Sequence, residues 1–298
     1  MVKRKVLVWL DWPEDCFRVE APPRECPDAV VVKSERAFLR ELPDATHAIV
    51  WNFDTRWFAR APKLRVLATP GAGRELVPAE VDLPPGVVKY HGEYHGAIMA
   101  ETVLACMFAW ARGLYAAYGW QTGADRPRKL WPRVDLSPLC RRVAGTRAVV
   151  LGYGHVGRAI GARLRANGVA VKGVRRRNFG ELPAALADAD WLVLALPGDT
   201  GTDDVVDAET LALLPPRAVL VNVGRGNAVE ERALVRALKR GNLAAAFLDV
   251  FKREPLAPDS PLAADGVPNL FRLPHASAFS PDYMDLFFAE LKRRGGLA

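Results

Sequence analysis

The feature that most limits what this chain can fold into is VLGYGHVGRAIG, Val150 to Gly161. A β-branched run, RAVVLGY, leads into it, and a helical pattern, HVGRAIGARLRANG, leads out to a second strand-like run, VAVKGV. Glycines at 152, 154 and 157 have the G-x-G-x-x-G spacing of a dinucleotide-binding turn, and the strand–turn–helix–strand setting gives that spacing its meaning. Gly152 permits the tight turn leaving the strand, Gly154 lets the backbone approach a pyrophosphate, and Gly157 allows the helix to pack closely on the sheet. Tyr153, His155 and Val156 complete the turn, where N–H groups at the helix start face the phosphates. A glycine-rich turn that binds nothing is the bland alternative, and the flanking elements weigh against it.

The second strand ends in VKGVRRR, Val171 to Arg177, with no carboxylate where an NAD-preferring site places one for the ribose hydroxyls. Arg175 takes that position, with Arg176 and Arg177 behind it. A carboxylate would repel the extra 2′-phosphate of NADP, whereas guanidinium groups bind phosphate in a bidentate fork. NADP(H) is therefore the expected cofactor, with NAD(H) possible if these arginines only coat the surface.

The rest of the chain has the organisation that such a turn requires. Over the first ninety residues, strand-like runs (KVLVWL, DAVVV, THAIVW, LRVLAT, GVVKYH) alternate with polar or helical pieces, as parallel strands with helical crossovers do. One long helix is expected from Gly96 to Tyr118, then a Pro- and Gly-punctuated connection, QTGADRPRKLWPRVDLSPL. Strands ADWLVLALP, RAVLVNVG and AAAFLDVF and the amphipathic helix ERALVRALKRGN follow, and 281–294 reads as a last helix. With 298 residues, half hydrophobic and a quarter charged, a folded protein of two domains is expected. The four scattered cysteines form no CxxC or metal spacing and fit a reducing cytoplasm. The apolar run Val6–Leu10 is too short for a signal peptide, and the segment 97–110 carries Glu101, so no membrane role is expected. The net charge of +7 is spread over many segments, which favours anionic small molecules over nucleic acid.

Three further motifs follow in order: LVNVGRGNAVEERAL (220–234), FLDVFKREPL (247–256) and LPHASAFS (273–280). Together with the glycine turn they resemble the D-isomer-specific 2-hydroxyacid dehydrogenases, continuously from about Gly145 to Ser280. Before Gly96 the resemblance is looser, carried by TPGAGREL and MAETVL, which are similar to that family's substrate loop and the start of its interdomain helix.

Reducing a 2-keto acid needs a cation for the carboxylate, a proton donor and a hydride held close by. Arg225, after a buried-looking strand and between two glycines, suits the first role because its fork matches a carboxylate. His275, following Pro274 at a strand end, suits the second because imidazole titrates near neutrality. Glu254 would pair with His275, hold its tautomer and keep the imidazolium ready to donate. Each residue alone has an ordinary structural explanation, and their conjunction at family spacing is what singles them out.

The resemblance carries other positions over. Asp249 matches the residue that holds the nicotinamide carboxamide, or else caps its strand end. Leu196, Pro197, Val223 and Gly224 match cofactor-lining positions, with structural roles equally open. Ala72 and Gly73 match the loop whose N–H groups receive the substrate carboxylate, although Arg74-Glu75 stands where the family usually has Val-Asp. Trp51, in VWNFDTRW, is either an aromatic wall of the substrate site or core packing.

The resemblance implies an α/β fold of two Rossmann-like, doubly wound parallel-sheet domains with a cleft between them. A discontinuous substrate-binding domain (1–95 plus 281–298) would hold an inserted dinucleotide-binding domain (96–280). It also implies a homodimer formed through the segment 96–118. The arginine-rich strand end, Trp51 and LWP are most similar to the NADPH-linked glyoxylate/hydroxypyruvate reductase branch. The alternatives are D-3-phosphoglycerate dehydrogenase-type activity with NAD and, outside enzymes, a nucleotide-sensing corepressor-like binding protein. With only some twenty residues after His275, the C-terminal regulatory domain of many phosphoglycerate dehydrogenases is expected to be absent, which counts against that alternative although short enzymes of this kind exist.

Overall fold

The computed structural model describes residues 3–10, 19–73, 77–79, 82–122 and 133–298. Arg74, Glu75 and LWP at 130–132 lie outside the described residues. The chain forms two compact units, Met1–His95 with Phe279–Ala298 and Gly96–Ala278.

The first unit contains β1 (Val6–Trp9), β2 (Val30–Val31), α1 (Glu35–Glu41), β3 (His47–Val50), β4 (Val66–Thr69) and β5 (Val88–His91). Its strands are all parallel in the order β2-β1-β3-β4-β5. Leu7, Ala48, Val50 and Leu67 pack on Phe38 and Leu42, a core made where each β-branched run meets α1 and the turn after it. Ser34 caps α1 by accepting from the Ala37 N–H at 3.3 Å, as a serine before an apolar periodic run should.

In the second unit, α2 (His95–Ala111) starts at the boundary and is followed by α3 (Leu114–Thr122) and α4 (Arg133–Leu136). The doubly wound part comprises β6 (Arg147–Leu151), α5 (His155–Ala166), β7 (Ala170–Val174), α6 (Leu182–Leu186), β8 (Trp191–Leu194) and α7 (Ala208–Ala212). It continues with β9 (Val219–Asn222), α8 (Glu231–Lys239), β10 (Ala245–Leu248) and β11 (Leu270–Arg272); α9 (Tyr283–Arg293) then lies in the first unit. All six strands are parallel, ordered β11-β10-β9-β8-β6-β7.

The sheet is apolar on both faces, which is why its strands read as continuous hydrophobic runs and not as alternation. Ala148, Val150, Trp191, Val193, Val221 and Phe247 face Met107 of α2 and Ile160 and Leu164 of α5. Val149, Leu151, Leu192, Leu194, Leu220 and Leu248 face Leu186, Leu211, Leu234 and Leu238 of α6, α7 and α8. Each such aliphatic side chain removed from water contributes roughly 1.5–3 kcal/mol.

The single long helix expected over Gly96–Tyr118 is two helices, bent by 69°. Gly113 breaks it with φ 65°, a left-handed conformation that a side chain would resist, and its own N–H closes onto the Trp110 carbonyl. Among the described residues no single helix is long and apolar enough to cross a membrane.

Candidate active site

The register of the six-stranded sheet sets the site. Val174, Leu151, Leu194, Asn222, Leu248 and Arg272 are paired across it in one row and end their strands level. Ligands of open parallel sheets bind outside such carboxyl ends, at the point where strand order reverses. Here β6 has β7 on one side and β8 on the other, so the reversal falls at the glycine turn. Every residue singled out in this unit follows one of these strand ends. In strand order they run from His275 after β11 and Asp249 and Glu254 after β10 to Arg225 after β9. Leu196-Pro197 after β8, the glycines after β6 and Arg175-Arg176 after β7 complete the series. From β9 to β7 the row covers roughly 14 Å at about 4.8 Å per strand, a span suited to an extended dinucleotide.

The glycine turn fits that ligand in detail. Gly152 has φ 91°, and a Cβ there would lie 2.5 Å from the Ala195 carbonyl oxygen. A Cβ on Gly157 would run into the Gly152 carbonyl, so only glycine lets α5 start this close to β6. A Cβ on Gly154 would meet nothing within 4 Å, so the backbone there is open to approach. Gly154 is the N-cap of α5 and brings no side chain to its first-turn N–H groups. His155 and Val156 form that first turn. Tyr153 contributes only backbone: its ring lies against Gly161 and Gly173, and its hydroxyl accepts from Arg165 at 2.8 Å. This packing role was not read from the sequence, although a glycine in α5 and another in β7 were its signal.

At the far end, Arg175 Nε donates to the Tyr153 carbonyl at 2.5 Å, which lays its guanidinium along the turn. Arg176 reaches the turn after β8, with its guanidinium 3.5 Å from Asp199. The same turn touches the other end of the row, where a Cβ on Gly198 would lie 3.2 Å from Arg225 Cγ. Gly224 is pressed closer still to Leu196, whose backbone nitrogen would stand 2.6 Å from an added Cβ.

At the near end, His275 Nδ1 and Glu254 Oε2 are 2.6 Å apart, and the Phe251 N–H donates to Glu254 Oε1 at 2.9 Å. Burial pushes the Glu254 carboxyl up, but those two hydrogen bonds and the charges of His275 and Arg225 outweigh it and hold it below the usual carboxylate range. His275 has φ 53°, an uncommon conformation for any residue but glycine. Asp249 holds it there: its carbonyl accepts from the His275 N–H at 2.9 Å, and its buried carboxylate from Ala276 at 2.7 Å and Ser277 at 2.9 Å. Of the two roles open for Asp249, the structure thus displays a strand-end one.

Arg225 is held by a residue that sequence reasoning passed over. Asn222, buried at the end of β9, accepts from the Gly224 N–H and donates to the Arg225 carbonyl, both at 3.0 Å. Its signal was a lone amide closing an apolar strand, as the lone carboxylate of Asp249 does in FLDVF. The buried backbone at Val223 donates to the Leu194 carbonyl at 3.1 Å. A Cβ on Gly226 would strike the Phe251 carbonyl, so glycine lets the Arg225 and Glu254 loops touch.

In the first unit, Trp51 follows β3, and Ala72 and Gly73 lie just beyond β4, at the carboxyl ends of adjacent strands. Trp51 is buried, its ring centroid 6.3 Å from that of Tyr283, and its carbonyl accepts from Thr69 at 3.2 Å. Ala72 is exposed and Gly73 buried. Among the described residues no cluster of His, Cys, Asp or Glu is arranged to hold a metal ion.

The chain is similar to known proteins over most of its length. The sequence profile described as "D-isomer specific 2-hydroxyacid dehydrogenase, NAD binding domain" matches residues 104–277. Glyoxylate/hydroxypyruvate reductase B of Pectobacterium carotovorum is 33% identical over 241 residues, covering 74% of this chain and 72% of that protein. D-3-phosphoglycerate dehydrogenase of Mycobacterium leprae is 31% identical over 271 residues, covering 85% of this chain but 46% of that protein. Among solved structures, an NADPH-dependent glyoxylate/hydroxypyruvate reductase of Sinorhizobium meliloti, in complex with NADP and sulfate, superposes with a TM-score of 0.73. It is 25% identical and covers 99% of this chain and 96% of that one.

Proposed function

The chain belongs to the D-isomer-specific 2-hydroxyacid dehydrogenases, and from that premise we propose that it reduces a small 2-keto acid of the glyoxylate or hydroxypyruvate type with NADPH. The observation that carries this is the row of strand ends, which sets a carboxylate-pinned histidine and an arginine at one end and two arginines at the other.

When bound, the reduced dinucleotide supplies a hydride. This chain's residues do the rest. Glu254 accepts a hydrogen bond from Nδ1–H of His275, which fixes the ring and leaves Nε2 as the nitrogen for substrate. As the carbonyl carbon becomes tetrahedral, Nε2–H gives its proton to the developing alkoxide; in the reverse direction neutral Nε2 takes the hydroxyl proton. Arg225 forks onto the substrate carboxylate and carries positive charge beside the reacting carbonyl. Gly152, Gly154, Gly157 and the N–H groups of His155 and Val156 hold the pyrophosphate, and Arg175 and Arg176 the 2′-phosphate. Leu196, Pro197, Val223 and Gly224 line the path between them.

In the first unit, the loop after β4 with Ala72 and Gly73 offers backbone N–H groups to the substrate carboxylate. Two chains pair through α2 and α3, where Phe108, Leu114 and Tyr118 are exposed apolar residues, joined by Val134 and Leu139.

Phosphoglycerate dehydrogenase-type activity with NAD is the second reading, favoured by the 31% identity to the Mycobacterium leprae enzyme. One assay separates the two. NADPH consumption is followed with glyoxylate and hydroxypyruvate, and NADH consumption with 3-phosphohydroxypyruvate. Turnover confined to the phosphorylated acid and NADH would replace the first reading. No turnover with any small 2-keto acid would remove both.

A further inference from the structure

Asp199 is a charged residue in this row that the proposed chemistry does not use. It lies in the turn after β8, and Arg176 lies after β7; these strands flank β6, so the pair joins the two loops on either side of the glycine turn. The Arg176 guanidinium is 3.5 Å from Asp199 Oδ1, and a Cβ on Gly201 would lie 2.8 Å from the same guanidinium. Gly201 therefore lets the arginine lie down on this turn.

Asp199 is fixed in place. Its Oδ1 accepts from the Gly201 N–H at 2.9 Å, and its carbonyl accepts from Thr202 Oγ1 at 2.7 Å and Asn227 Nδ2 at 3.2 Å. Thr202 is buried and also donates to the Pro197 carbonyl at 2.8 Å. A carboxylate so anchored stays where it is when Arg176 changes partner. Arg175 differs, because its guanidinium donates to the neutral Tyr153 carbonyl.

We propose that Asp199 is a specificity-determining residue: an internal anion that occupies Arg176 and so limits how strongly the site prefers a 2′-phosphorylated dinucleotide. The inference rests on the NADP(H) reading above. A phosphate monoester carries close to two negative charges and three acceptor oxygens, so it wins Arg176 from a single carboxylate. It must do so beside that carboxylate, and the like charges oppose each other. A ribose without the phosphate faces no such contest. Arg176 is 82% and Asp199 47% exposed, so the effect is a modest one, screened by salt.

The test is calorimetric binding of 2′,5′-ADP, 5′-AMP, NADPH and NADH to the full-length wild type, Asp199→Asn, Arg176→Ala and the double variant, at low and high salt. Asparagine keeps an oxygen for the Gly201 N–H, and an unchanged ligand-free melting temperature verifies the turn. Asp199→Asn is expected to tighten 2′,5′-ADP and NADPH roughly five-fold at low salt, with 5′-AMP and NADH within about two-fold. That gain should shrink in high salt and vanish in the Arg176→Ala background. Unchanged or weaker 2′,5′-ADP binding by Asp199→Asn would overturn the proposal, provided the wild type still favours 2′,5′-ADP over 5′-AMP and Arg176→Ala reduces that preference. A wild type that binds the two alike would instead remove the NADP(H) reading, and this inference with it.

Discussion

His275 Nδ1 lies 2.6 Å from Glu254 Oε2, across 21 residues of sequence and between loops that leave adjacent parallel strands. The pair turns one ring nitrogen toward the protein, and the proposed proton transfer uses the other. His275→Ala should therefore lower kcat by about 100-fold or more, the usual worth of a positioned acid or base. NADPH affinity measured by fluorescence should stay within about two-fold. Loss of both together would mean that His275 holds the fold or the cofactor, not the proton.

The pH dependence of stability has a definite sign. Burial raises the Glu254 carboxyl pKa, and the hydrogen bonds and positive neighbours lower it further than that, so its folded value lies below 4.5. A group depressed on folding contributes fully above its unfolded pKa and loses the contribution as pH falls through the folded value. Wild-type melting temperature should thus fall more steeply below about pH 4.5 than that of Glu254→Gln. Equal slopes in that acid range would show that Glu254 contributes nothing to the pH dependence.

The fold was legible because its signals are local. Strand runs, helical patterns and the fingerprint spacing all act within a few residues. The candidate site was legible as a constellation because Arg225, Glu254 and His275 come from consecutive strand ends of one sheet. What escaped depends on distant partners. Nothing near Tyr153 announces that its ring needs Gly161 and Gly173, and nothing near Gly113 in an otherwise helical pattern marks a bend and not a tolerated glycine. Asn222 and Asp249 were visible as polar residues at apolar strand ends, but their partners are defined only once the loops are folded.

Asp249→Asn tests the support beneath the histidine. The carboxylate accepts from the N–H groups of Ala276 and Ser277; an amide offers one oxygen and sets an N–H against the other donor. Leaving a buried donor unmet costs about 1–3 kcal/mol. The melting temperature should fall by several degrees and kcat by a larger factor than any loss of NADPH affinity. A drop in NADPH affinity that exceeds the drop in kcat would favour a direct hold on the nicotinamide.

Arg175→Ala together with Arg176→Ala should weaken NADPH about 10- to 100-fold, the range of roughly 1.5–3 kcal/mol for charged hydrogen bonds. NADH should change little. Competition by 2′,5′-ADP reads this directly, and an unchanged NADPH-to-NADH ratio would sink the assignment of these arginines to the 2′-phosphate.

Tyr153 gives a stability prediction with an internal control. A Cβ on Gly173 would overlap the Tyr153 ring, and one on Gly161 would lie 2.6 Å from its hydroxyl. The ring sits in the turn that ends β6, so it cannot retreat without moving the backbone that meets Arg175. Gly173→Ala should therefore destabilise the protein by about 1–3 kcal/mol, the usual cost of overpacking. Tyr153→Ala should relieve most of that cost, because the added methyl then fills space that the ring vacated. The double-mutant cycle in urea, read from midpoints at constant slope, measures the coupling. Additive losses would mean that Gly173 is needed for its backbone and not for the ring.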